Sequence, residues 1–216
     1  MDRSSKEWFI RVIILMAGLT IAHLGVTLFL LAELGSDPFN VLIQGLYRTF
    51  SGFSFLTHGR VHIAVSLLII LVLLIVDRHY IKIGTVLCMI CGGPIIDFFT
   101  MCLTPLAIQN WPFPGRLAVL ALGCVILAYG MTIVIKSDAG TGPNDLVAIV
   151  ISDKIHKPFS IIRIAVDLCF VLAGWLLGGI FGIGTIICAG LVGPVAGIFL
   201  PINERIINGI IDRTVH

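Results

Sequence analysis

Residues 123–146 read GCVILAYGMTIVIKSDAGTGPNDL, and residues 18–41 read GLTIAHLGVTLFLLAELGSDPFNV. The two align without a gap. Gly18 meets Gly123, Ile21 meets Ile126, Gly25 meets Gly130, Thr27 meets Thr132, Gly35 meets Gly140 and Pro38 meets Pro143, while Glu33 falls opposite Asp138. Further on, HIAVSL (62–67) meets RIAVDL (163–168). IGTVLCMICGGPIIDFF (83–99) then meets IGTIICAGLVGPVAGIF (183–199), where Gly84, Thr85, Cys88, Gly93, Pro94 and Phe99 all recur 100 residues on. A chain written twice is expected to fold as two copies of one unit, and self-similarity on this scale outweighs any single motif.

Composition says where those copies reside. Of 216 residues, 58% are hydrophobic and 12% charged, about half the charge of a soluble domain, and the mean hydropathy is +1.08. Several apolar runs reach the roughly 20 residues that a helix needs to cross a bilayer. The reading is an all-α integral membrane domain over 1–216, with strong spans at about 10–33, 61–77, 83–103, 116–136, 161–178 and 183–201. Repeat one then covers about 10–103 and repeat two about 116–201. The first apolar run is too long for a signal-peptide core. The six cysteines lie in apolar segments, which favours helix packing over a disulfide framework. A net charge of +2 gives no reason to invoke nucleic acid; the expected partner is the lipid bilayer.

Two weaker segments remain, 38–50 and 143–156, each opening with proline. About 13 residues of helix span roughly 20 Å, short of the roughly 30 Å hydrocarbon core. Both are expected to be short re-entrant or interfacial helices, which leaves six transmembrane helices. Three spans per copy is an odd number, so the second copy enters the membrane from the opposite side and the repeats are inverted. Lys and Arg divide 11 to 3 in favour of the side holding Arg3, Lys6, Arg11, Arg205 and Arg213; Arg48, Arg60 and Arg116 fall on the other. The positive-inside rule therefore places both termini in the cytoplasm. An eight-span reading divides the charges equally well, so segment length decides for six.

The stretches AELGSDPFN (32–40) and SDAGTGPND (137–145) read as breaks between helices. Glycine tolerates the positive φ that ends one helix, and proline starts the next at its first position. Asn40, Asn144 and Asp145 fall in the first turns that follow, beside Pro38, Pro143 and Thr141. Short polar side chains there cap free N–H groups. They equally suit a polar substrate site lined by helix N-termini. Glu33 and Asp138 fall in the last turn of the preceding helices, where the macrodipole disfavours negative charge. Either they are solvated at the membrane surface or they help to couple an ion.

Asp97 and Asp167 lie inside spans, where an ionised group costs roughly 2.5–3.5 kcal/mol and is commonly paired or functional. Asp167 follows Arg163 by four residues, so an ion pair along the helix is expected. Asp97 follows GGP without a local partner, which makes it the leading intramembrane candidate. His23 lies mid-span; His58, His62, His79 and His156 have no metal-ligand spacing. The heptad-spaced pairs Gly18/Gly25 and Gly123/Gly130 suit close helix packing. Neither a nucleophile–base arrangement nor a phosphate loop nor a metal motif stands out, so no enzyme, metal or cofactor is expected.

GTGPNDLVAIVISDK (140–154), together with IGTIICAGLVGPVAGIF (183–199), resembles the bacterial YczE/YyaS/YitT membrane protein family over nearly the whole chain. The first copy departs from the motif, with Ser36, Asp37 and Phe39 where the second has Thr141, Gly142 and Asn144. The resemblance implies a bacterial plasma-membrane protein and supplies no catalytic residues. The function expected from the repeats is transport of a small solute or ion. The site would lie between the copies at Pro38–Asn40 and Pro143–Asp145, with Asp97 close by. The alternatives are a non-transporting membrane factor that assists or anchors another membrane or secretion component, and a channel. A homodimer suits so short a chain.

Overall fold

The computed structural model describes residues 5–53, 55–157 and 159–215, less the side chains of residues 159, 160 and 215. Arg3, counted above, lies outside them. Among the described residues eight α-helices run in order: α1 (Ser5–Ala32), α2 (Pro38–Thr49), α3 (His58–Asp77), α4 (Ile83–Leu103), α5 (Phe113–Ser137), α6 (Pro143–Ile155), α7 (Phe159–Leu176) and α8 (Ile183–Val215). The described residues contain no strand.

Among the described residues five helices are long and apolar enough to cross a membrane: α1, α3, α4, α5 and α8. The sixth expected span corresponds to α7. Its 18 residues reach about 27 Å, and it carries Arg163 and Asp167. The two short segments are α2, of 12 residues, and α6, of 13. Large apolar side chains stay exposed along the long helices, among them Leu68, Ile75, Leu168, Leu176, Ile186 and Ile198. Such a surface suits a lipid solvent.

One boundary differs from the sequence reading. The last helix was expected to end near Pro201, where the apolar run stops; α8 continues to Val215. The run turns amphipathic there instead of ending. Asn203, Ile207 and Ile211 remain buried at four-residue spacing. The Asn203 amide donates to Thr132 Oγ1 at 2.6 Å, and Lys136 pairs with Glu204 at 2.8 Å. The extension is therefore held against the end of α5.

Packing centres on α1 and α5, with α4 against α1, α8 against α5, and α3 against α4. Between lipid-exposed helices the hydrophobic effect offers little, so close packing must supply the attraction. A Cβ built on Gly25 would lie 2.6 Å from the Gly123 carbonyl oxygen, and one on Gly18 would lie 2.9 Å from that of Gly130. Low number against high means that α1 and α5 run antiparallel. Two buried clusters flank this seam: Leu15, Leu19, Cys88, Val134 and Ala139, then Phe29, Ala32, Leu120, Cys124 and Cys188. Leu15, Leu19 and Cys88 are the repeat counterparts of Leu120, Cys124 and Cys188.

Polar ties between the copies are also returned. Gly84 N donates to the Ala139 carbonyl at 3.0 Å and Gly184 N to that of Leu34 at 2.7 Å. Arg11 Nη1 reaches the Ser137 carbonyl at 3.0 Å, and Arg116 Nε the Ala32 carbonyl at 2.7 Å. Each arginine satisfies a carbonyl that the end of the other copy's first helix leaves free. One relation is not returned. Gly59 of α3 packs backbone to backbone on Gly93 of α4, whereas a Cβ on Gly190, Gly193 or Gly197 of α8 would meet nothing within 4 Å among the described residues.

Candidate functional site

Each break is built the same way. α1 stops at Ala32, and Glu33 (φ 50°) and Gly35 (φ 118°) turn the chain; α5 stops at Ser137, and Asp138 (φ 53°) and Gly140 (φ 152°) do the same. The two acids thus sit just past the helix ends, in the left-handed region that non-glycine residues seldom occupy. Both are exposed. Asp138 pairs with Lys82 at 3.1 Å across roughly half-exposed side chains, and the Glu33 carbonyl accepts from Arg116 at 3.1 Å.

Pro38 and Pro143 open α2 and α6. Ahead of α2, Asp37 is the N-cap. Its Oδ1 accepts the Asn40 N–H at 3.2 Å and its Oδ2 accepts Asn40 Nδ2 at 2.7 Å. Ahead of α6 the N-cap is Gly142, which has no side chain to offer, and half-buried Thr141 precedes it. Asn144 Nδ2 donates to Asp145 Oδ1 at 2.9 Å. The same Asp145 oxygen pairs with Arg163 of α7, and Arg163 Nε donates to Asp167 Oδ2 at 2.9 Å, the ion pair expected from the spacing.

Helix α7 brings the two breaks together. It packs against both α2 and α6, and Asp37 lies within the electrostatic reach of Arg163 and Asp167. Phe39 stands edge-on to Phe170 of α7, with centroids 5.5 Å apart, and to His62 of α3, at 5.4 Å. Pro38, Asn40, Pro143, Asn144 and Asp145 therefore belong to one polar region, and Asp37, Arg163 and Asp167 complete it.

Asp97 is placed elsewhere. Its carboxylate accepts Thr57 Oγ1 at 2.6 Å and Gly59 N at 2.9 Å, which ties α4 to the start of α3. It borders a groove of about 470 Å³ shared with Arg60, Ile63, Pro94, Phe98 and Met101. That groove touches neither break.

In the lining of copy one, sequence reasoning found Asn40 but missed His62 and Ser66. Asn40, His62 and Ser66 are the repeat counterparts of Asp145, Arg163 and Asp167. The second set forms a connected ion network. In the first set all three residues are buried, at 4%, 7% and 0% exposure, and Asn40 Oδ1, His62 Nδ1 and Ser66 Oγ have no hydrogen-bond partner. Asp167 Oδ1 is likewise buried and unpartnered. Such atoms are rare in native proteins and ask for an explanation. The signal was present in the alignment: three positions that carry charge in one copy carry neutral polar groups in the other.

A family model described as "Family of unknown function (DUF6198)" matches residues 9–201. The chain belongs to this family. The match runs through both copies, both breaks and α7, and it ends where the amphipathic extension of α8 begins. "Uncharacterized membrane protein YczE" of Bacillus subtilis is 30% identical over 209 residues, 96% of this chain and 94% of that protein. An "Uncharacterized protein" of Haemophilus influenzae is 27% identical over 89% of this chain and 84% of its own length. "Uncharacterized protein YyaS" of Bacillus subtilis is 25% identical over 87% and 91%. No solved structure matches. The name of the first of these relatives and the long apolar helices found here support a multi-pass membrane protein.

Proposed function

We propose that the chain is a small-solute transporter of the bacterial plasma membrane. In this reading six spans form two inverted repeats, and both termini are cytoplasmic. The site lies where the breaks meet on α7, at Asp37, Asn40, Asn144, Asp145, Arg163 and Asp167. The observation that carries the reading is the pair of buried, unpartnered polar atoms at Asn40, in the first turn of α2, and at Asp167, on α7, the helix that packs on both short helices. Interrupted helices near a repeat interface are where many secondary transporters bind their cargo. The antiparallel glycine contacts of α1 on α5 support the inversion, because a contact returned between equivalent residues implies a two-fold relation. The closed α3–α4 seam and the bare α8 glycines support two alternating states, with repeat one shut on one side while repeat two is open on the other. Thr141, Glu33 and Asp138 flank the path.

The second reading is a non-transporting factor that anchors or assists another membrane component. Its support is the direct pairing of Arg163 with two carboxylates, which neutralises charge without a ligand. Reaction of a cysteine placed at Asn144 distinguishes the two. In sealed vesicles of both orientations, and against the parent as background, a transporter should let membrane-impermeant maleimide reach that cysteine from either side. Protection from both sides would leave the transport reading without a path.

A further inference from the structure

The polar region joins features of opposite preference: helix N-termini favour anions, and carboxylates favour cations. The hydrogen-bond inventory decides between them. Pro38 and Pro143 have no N–H. Asn40 N is taken by Asp37 Oδ1, and Val41 N by the Asp37 carbonyl at 3.0 Å. Asp145 N and Leu146 N both turn to the Gly142 carbonyl, at 3.1 and 3.2 Å. Arg163, the one cation of the cluster, is held by Asp145 and Asp167. These donors are therefore spent.

Acceptors are not. Asn40 Nδ2 is committed to Asp37, so its buried free atom is the carbonyl oxygen, and a carboxylate oxygen of Asp167 is free as well; His62 Nδ1 and Ser66 Oγ, also free, can each donate or accept. Asp37, Asp145 and Asp167 also outnumber Arg163 three to one in formal charge. The two free acceptors and the surplus of carboxylates favour a group that donates hydrogen bonds and carries positive charge. Among the described residues no cluster of three His, Cys, Asp or Glu could hold a metal ion, which favours an N–H cation over a metal.

We infer that the cluster at the two breaks binds an organic cation through an ammonium or guanidinium group, donating to Asn40 Oδ1 and Asp167 Oδ1. The inference rests on the transport-site reading and names its cargo class. Arg163 then acts as a positioning residue, keeping Asp145 and Asp167 from repelling each other while the site is empty.

The test uses the full chain in lipid nanodiscs, with thermal shift and calorimetry against putrescine and agmatine, against butyrate and succinate of similar size, and against sodium and potassium chloride. The amines should bind and raise the melting temperature. Asp167→Asn should weaken them about tenfold, the effect of one lost charge-assisted hydrogen bond. Asp37→Asn preserves the helix cap while removing one carboxylate, so it repeats the test should Asp167→Asn fail to fold. Binding of the carboxylates, lost in Arg163→Gln, would overturn the cation class and leave the transport site standing. Shifts from sodium or potassium equal to those from the amines would overturn the N–H donor requirement. No binding by any probe would count against both the inference and the site.

Discussion

The Gly184 N–H donates to the Leu34 carbonyl at 2.7 Å, and the Gly84 N–H donates to the Ala139 carbonyl at 3.0 Å. Each bond pins the start of one copy's last long helix to the other copy's break. Both need glycine for the approach: a Cβ on Gly84 would fall 2.5 Å from the Ala139 oxygen, and one on Gly184 would fall 2.8 Å from that of Leu34. Alanine at either position should destabilise the chain by about 1–3 kcal/mol, as small-to-large changes at tight contacts do. Melting of the two variants in detergent should fall together. A loss confined to one of them would mean that the two breaks are not equivalent supports.

Topology gives the most direct check of the inverted repeats. Reporter tags after Pro105 and after Ile180 should be extracellular, and tags at both termini cytoplasmic. A cytoplasmic tag after Pro105 would make the number of crossings per copy even, and the copies would then be parallel.

Much of the fold was legible in the sequence, for a physical reason. In lipid every backbone group must be paired within its own helix, so span limits follow apolar runs and breaks follow glycine and proline. All the described helices but α1 therefore start within about three residues of the expected limits, and Pro38 and Pro143 sit at the first turns foreseen for them. The end of α8 was not legible because side-chain packing on Thr132 and Lys136, not hydropathy, holds it. Within the site, Asn40, Asn144 and Asp145 followed from local chemistry. Arg163 and His62 did not. Their places depend on α7 and α3 packing beside the short helices, a long-range relation that only the repeat alignment encodes.

Asp37 separates capping from charge. Its carboxylate satisfies the Asn40 N–H at the start of α2, and loss of such a cap costs about 0.5–2 kcal/mol. Asp37→Ala should lower the melting temperature, while Asp37→Asn should restore most of it. If both variants melt alike, the charge of Asp37, not its hydrogen bond, supports the fold.

The last prediction contrasts two acids in the second copy. Asp145 and Arg163 pair with about a quarter of each side chain exposed, whereas Asp138 and Lys82 are about half exposed. Exposed pairs contribute at most about 1 kcal/mol, while removing one partner from a buried pair costs several. The Asp145 pair lies between these limits, and Arg163 keeps Asp167 when Asp145 is gone. Asp145→Asn should therefore cost about 1–3 kcal/mol and Asp138→Asn under about 1. A double-mutant cycle with Arg163→Gln isolates the pair from other effects of the substitutions. It should return a coupling for Asp145 and none for Asp138. If Asp145→Asn melts with the parent and shows no coupling to Arg163, the ion network does not hold α6 to α7, and the packing of Ala148 on Ile162 and Val166 must do so alone.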